Sequence, residues 1–135
     1  IDNSFIKDNI NRYCEKYYQK IFHSELNKNN SEYIKLCNEN KKIDNIAGFS
    51  LFITYLEMYG LVNNYIDTIL DPFMETILEI TEENELYQLL VCFETISKIY
   101  YRQNIPENYI SRLQTLKQSN ISLKIKFKIM DILQE

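Results

Sequence analysis

The sequence predicts an all-α protein, and three observations carry that prediction. Only two glycines and two prolines occur in 135 residues, whereas an all-β domain of this size needs a turn residue every ~8–12 positions. Apolar residues recur at helical spacing along most of the chain. The one stretch that alternates like a strand, from Ile121 to Ile129 in "ISLKIKFKIMDIL", is better satisfied as a helix. On a wheel of about 100° per residue, Lys124, Lys128, Asp131 and Glu135 share one polar arc. Ile121, Ile125, Ile129, Ile132 and Leu133 cluster on one side, and Leu123, Phe127 and Met130 line the other. A lone strand would also leave its backbone groups without partners. The wheel predicts a helix with a broad buried face. Lys126 falls inside that face and calls for a carboxylate, such as an acid of residues 82–94, for room to reach water, or for a functional reason.

The other elements follow in order. Ile10, Tyr13, Cys14, Tyr17, Tyr18 and Ile21, with Phe5 and Ile6 before them, give a first helix over residues 4–24. "NKNNSE" reads as a loop. A short helix is expected around residues 31–39, then a buried one over 46–60 closed by Gly60. Ile66, Ile69, Leu70, Phe73, Ile77 and Leu78 make the stripe of the next, with Pro72 as a kink. A helix over 81–101 starts at a capping Thr81 with acids in its first turn. Pro106 opens a shorter helix to about Lys117, and Ser119 or Asn120 caps the last one. The length suits a single helical domain, residues 1–135.

Charge is unevenly placed. Residues 1–42 carry a net +2, and residues 98–135 a net +4. Residues 43–97 hold ten acids and no Lys or Arg. An acidic middle between basic ends suits interaction surfaces, and it limits RNA affinity to weak, salt-dependent contact. The 20 isoleucines, 15 asparagines and single alanine reflect AT-rich coding and point to a parasite or a large DNA virus as the source. The chain opens on Ile1 rather than Met, which suggests an excerpt of a longer protein. No apolar run approaches ~20 residues and no signal-peptide pattern opens the chain, so a cytoplasmic, membrane-free protein is expected.

No catalytic constellation is legible. Cys14, Cys37 and Cys92 are odd in number and far apart, which fits free, buried thiols rather than disulfides or a metal site. The one histidine, His23, stands at a polar helix end. Glu82, Glu83 and Glu85 are helix-start charges rather than paired catalytic carboxylates. No glycine-rich phosphate loop occurs, so a non-enzymatic protein without cofactors is expected.

Four segments resemble a known family. "SLKIKFKIMDIL" (122–133) is similar to the last helix of the middle domain of eukaryotic translation initiation factor 4 gamma, Ser-x-Arg-Ile-Arg-Phe-x-Leu-x-Asp-Val/Ile-Leu. Ser122, Ile125, Phe127, Asp131 and Leu133 match in register, and Lys124 and Lys126 stand where the family carries arginines. "LYQLLVCFETISK" (86–98) resembles Leu-x-x-Leu-Cys-x-Leu-Leu-x-Thr-Ile-Gly-Lys at Leu86, Leu89, Thr95, Ile96 and Lys98, with Ser97 in place of the glycine. "GFSLFITYLEMYGLV" (48–62) matches the family at Gly48, Phe52, Ile53 and Leu56, and "INRYCEKY" at Asn11 and Arg12. The resemblance covers the C-terminal half of such a domain.

It implies a fold of HEAT-like antiparallel helix pairs, an α-solenoid. It also implies a monomeric translation-initiation scaffold that clamps a DEAD-box RNA helicase in its closed state and touches RNA weakly. A cap-binding protein would be held by segments outside this chain. The implied partner surface is Lys117, Asn120, Lys124, Lys126 and Lys128. Lys124 and Lys128 are expected to be exposed rim charges whose reversal to Glu spares the fold. Tyr101 beside Arg102, with Arg112, are the candidate RNA contacts. Related scaffolds of the same fold serve splicing and mRNA decay. A different reading is a virus-encoded, Bcl-2-like helical decoy with a groove for a ligand helix. That fold usually carries an Asn-Trp-Gly-Arg-like turn, and this chain has no Trp and no Arg after Gly48.

Overall fold

A computed structural model describes residues 4–22 and 32–135. Among the described residues there are six α-helices and no strand. They gather in two compact units, Ile1–Asn63 and Asn64–Glu135. His23 and the polar loop expected before residue 32 lie outside the described residues, as do the side chains of Phe5 and Ile6.

In the first unit, α1 (Ser4–Phe22) packs on α2 (Glu32–Met58). Cys14 and Ile21 are buried on α1, and the rings of Tyr17 and Tyr18 lie 5.7 and 6.2 Å from Phe49 of α2. The sequence predicts two helices where α2 runs unbroken. Nothing between residues 40 and 45 forces an end: "NKKIDN" has neither Gly nor Pro, and its polar side chains can simply face water. Ile46, Phe49 and Ile53 turn inward. Buried Ser50 and Thr54 donate their hydroxyls to the carbonyls of Ile46 and Ser50, at 2.7 and 2.6 Å, so neither is orphaned. Gly60 ends the helix as expected. Its φ of 74° lets its N–H reach the Glu57 carbonyl and that of Leu61 reach Leu56, which is a Schellman closure. Cys37 is exposed on the polar half of α2, against the expectation of three buried thiols.

The second unit begins with α3 (Tyr65–Thr76), which contains Pro72 and ends four residues beyond it. α4 (Glu83–Ile96) is capped by Glu82, not Thr81. The Glu82 carboxylate accepts from the N–H groups of Asn84 and Glu85, where its charge also suits the helix dipole. The helix expected to reach residue 101 instead widens into a π-helical turn, Ser97–Tyr101. After Pro106 comes α5 (Glu107–Lys117), and then α6 (Leu123–Leu133). Ser122 rather than Ser119 or Asn120 caps α6, its hydroxyl accepting from the Ile125 N–H at 3.3 Å. α4 packs against α3 and α6, and α5 against α6. Leu70, Met74, Leu90, Phe93, Ile96, Leu113, Ile125 and Ile129 form the core, each burial contributing about 1.5–3 kcal/mol. No described helix is long and apolar enough to cross a membrane.

The π-helical turn closes on an unusual residue. Arg102 has φ 54° and ψ −114°, and the Asn104 N–H reaches the Tyr101 carbonyl at 2.8 Å. Those angles match the first central position of a type II′ turn, a place that favours glycine. Arg102→Gly should therefore raise stability by about 1 kcal/mol, relief of strain outweighing the freer unfolded chain. Urea unfolding checks it: a midpoint that stays or falls would mean the turn is unstrained.

Two tyrosines tie α3 to the elements that follow. The Tyr101 hydroxyl donates to Asp67 Oδ1 at 3.1 Å, and that of Tyr109 donates to Asp71 Oδ1. Asp67 and Asp71 lie one turn apart on α3, so both bonds form on one face. Burial pushes both phenols above their ordinary range, helped by the charge of Asp67 at Tyr101 and by the bond to Asp71 at Tyr109. A raised folded pKa keeps its stabilisation below the unfolded value of about 10 and loses it as pH rises beyond that. Stability should accordingly fall between about pH 10 and 12, and Tyr101→Phe with Tyr109→Phe should flatten that fall. Chemical denaturation across this range is the measurement; an unchanged slope in the double variant would contradict it.

Candidate partner-binding site

α6 is short, and among the described residues its main neighbours are α4 and α5. Ile125, Ile129 and Ile132, one turn apart, face α4 and α5 and are buried. The wheel's second apolar cluster does not follow them. Leu123 is 66 % exposed and Phe127 57 %, with Met130 half-buried beside them. The expected broad buried face is thus a narrow one, because among the described residues this 11-residue helix packs mainly on two neighbours, which leaves its far side uncovered. The outward face becomes an apolar ridge, Leu123 and Phe127, flanked by Lys124 and Lys126.

The lysines divide by role. Lys128 is the internal one: its Nζ sits 3.0 Å from Glu94 Oε1, with both side chains only 17 % and 15 % exposed. Burial works against its charge, but the hydrogen bond and charge of Glu94 prevail and hold its pKa above the usual value. Lys98 approaches the other oxygen of Glu94 at 3.9 Å. The partner acid expected within 82–94 therefore exists, but it serves Lys128, and Lys126 has no ion pair among the described residues. Lys124 is exposed, its Nζ 4.3 Å from the centre of the Tyr87 ring, and Lys128 lies 5.4 Å from the same ring. Tyr87 thus gathers two of the predicted lysines, a part the sequence did not suggest for it.

Lys117 is engaged elsewhere. It pairs with Glu135, which also accepts from Gln114 Nε2 at 2.8 Å, and these two bonds pull the Glu135 carboxyl below its usual range. Asn120 is exposed in the turn before α6, at the rim of a groove of about 510 Å³ with Leu78, Ile80, Leu86 and Ile121.

The proposed RNA contacts are not gathered. Tyr101 is half-buried against Asp67, with its ring edge-to-face on Tyr100 at 5.0 Å. An acid at its hydroxyl is a poor neighbour for phosphate. Arg102 is exposed on its strained turn. Arg112 donates to the Glu75 carbonyl at 3.3 Å. Asp67 and Glu75 lie eight residues apart on α3, about 12 Å along the axis, so Tyr101 and Arg112 attach to opposite ends of that helix.

Among the described residues no cluster of His, Cys, Asp and Glu could hold a metal ion. The arrangement offers an exposed aromatic-aliphatic ridge with cations beside it, which suits docking on a partner's apolar and acidic surface. Comparison of the chain with protein-family models, with curated proteins and with solved structures finds no match.

Proposed function

We propose that this protein is a non-enzymatic translation-initiation scaffold. It binds a DEAD-box RNA helicase through the outward face of α6 and favours the helicase's closed, RNA-competent state. The observation that carries the reading is the exposed ridge of Leu123 and Phe127 between Lys124 and Lys126. It falls in the segment with the most specific resemblance to initiation factor 4 gamma. A phenylalanine more than half exposed in the middle of a helix gains little from folding, whereas aromatic anchors dominate binding energy at interfaces. The pairing of α1 with α2 and of α5 with α6 supports a HEAT-like array. Any RNA contact is weak and salt-dependent, because residues 43–97 carry no base.

A panel of purified DEAD-box helicases, titrated with the chain by calorimetry, tests the proposal. Phe127→Ala should weaken binding at least ~10-fold, a loss of about 1.4 kcal/mol, with no change in thermal midpoint. Lys124→Glu should mainly slow association at low salt. Full-strength binding by both variants would remove α6 from the interface, and binding to no helicase would reject the function.

A further inference from the structure

We infer that two copies of this chain pair through α6, antiparallel about a twofold axis that passes beside Phe127. The pairing stands apart from the helicase reading. Its one consequence there, which does rest on that reading, is that a second copy and a helicase compete for the ridge.

The outward side of α6 has the spacing of a helix–helix seam. Exposed Leu123 and Phe127 and half-buried Met130 follow one another by four and three residues. That rhythm lets side chains interlock with those of a facing helix. Ile125, Ile129 and Ile132 already supply the face that α4 and α5 cover. Within the second unit those neighbours lie behind the seam, which leaves its length open.

Charge decides what faces it. Lys124 and Asp131 are both exposed and stand seven residues apart. They therefore flank the seam on the same side, within about 20° of each other and ~10 Å apart along the axis. Asp131 has no ion pair among the described residues. Lys124 has the Tyr87 ring beneath it, at 4.3 Å, which steadies the cation without accepting its hydrogen bonds. A twofold axis at their midpoint, between Phe127 and Lys128, lays Lys124 of each copy against Asp131 of the other. Two ion pairs then bracket the contact. The two Phe127 rings meet at its centre, and Leu123 of each copy lies over Met130 of the other. Parallel pairing would set lysine on lysine and aspartate on aspartate, which repel.

The other charges on α6 offer no rival. Lys128 and Glu135 are engaged by Glu94 and Lys117, and Lys98 approaches the same Glu94. Lys126 lies on the opposite flank, where the residue seven positions on is Leu133, so no acid meets it in the dimer. Its stem can follow the seam while its ammonium stays in water. A wholly acidic surface would suit Lys124 and Lys126 but repel Asp131, and a wholly basic one would do the reverse. A second α6 brings both signs in the required order.

A helix pair of this length buries at most about 1,200 Å², so the chain is a monomer when dilute and passes to a dimer towards ~1 mM. Sedimentation equilibrium measures the step. Lys124→Glu and Asp131→Lys should each weaken dimerisation at least ~10-fold, since each sets like charges together at both ends of the contact. Mixed in equal amounts, the two variants should pair with each other at least as tightly as wild type pairs with itself. Every flanking contact in that mixed dimer joins an acid to a lysine, and a damaged fold could not be rescued by mixing. Wild type that stays monomeric at the highest concentration would overturn the inference. So would dimerisation undiminished in either variant, which would place the contact elsewhere, or a mixture that remains monomeric.

Discussion

Lys128→Glu should destabilise the protein by about 3 kcal/mol, lowering its thermal midpoint by roughly 10 °C. The substitution replaces the cation 3.0 Å from Glu94 with a second carboxylate, at a place where both side chains are mostly covered. Breaking a buried pair costs ~3–5 kcal/mol because one charge is left uncompensated. The lower end applies here, since Lys98 stands 3.9 Å from the other Glu94 oxygen and can share that charge. Lys124→Glu is the contrast. It gives up a cation–π contact with Tyr87 worth about 0.5–1 kcal/mol, but puts an acid in the first turn of α6, where the helix dipole favours it. Its net effect should stay within ~0.5 kcal/mol. Differential scanning calorimetry of the two variants separates these outcomes. Pairing Lys128→Met with Glu94→Leu should recover most of the loss, because no charge then remains buried. Equal midpoints for Lys128→Glu and Lys124→Glu would show that both lysines are rim charges, as the sequence alone suggests.

Phe93→Ala should cost about 3–5 kcal/mol, and Phe127→Ala less than ~0.5 kcal/mol. Phe93 is 2 % exposed in the middle of α4, with Tyr109 edge-to-face at 5.8 Å. Truncation there loses the transfer energy of the ring, opens a cavity between α4 and α5, and leaves Tyr109 with Tyr101 as its remaining ring contact. Phe127 is 57 % exposed on α6 and leaves no cavity when shortened. Urea denaturation of the two variants measures the difference. A comparable loss for Phe127→Ala would show that its ring packs inside, and the candidate site would lose its anchor.

The contrast between these two phenylalanines shows what could be read from the sequence. Helix against strand was legible even at residues 121–133, because a strand there leaves its backbone unpaired whereas the helical wheel holds together. Which apolar cluster of α6 would be buried was not legible. Both are apolar, and the choice depends on how many helices pack against α6, which is a tertiary fact. An excess was still detectable: residues 121–133 carry apolar side chains round most of the wheel, more than a short terminal helix can hide. Two helices, around 31–39 and over 46–60, are expected where α2 is one, because residues 40–45 carry a single apolar side chain, Ile43, and extend neither stripe although they hold no Gly or Pro. The π-helical turn after Ile96 left no local sign, since "SKIYY" is an ordinary helical string. For the lysines, the wheel calls for a carboxylate at Lys126 from the segment 82–94, but the acid there, Glu94, pairs with Lys128. Lys126 and Lys128 stand about 200° apart on the wheel, and the wheel puts Lys128 on the polar arc, so it names the wrong lysine for the pair.

The most direct measurement of the proposed function is the affinity of a DEAD-box helicase for this chain in two states. One is nucleotide-free; the other is held closed by single-stranded RNA and a non-hydrolysable ATP analogue. A scaffold can shift a partner's equilibrium only by its differential affinity for the two forms. The scaffold reading predicts at least ~10-fold tighter binding to the closed state, about 1.4 kcal/mol of coupling, with the advantage lost in Phe127→Ala. Equal affinity for both states, or a closed-state preference that Phe127→Ala leaves intact, would contradict it.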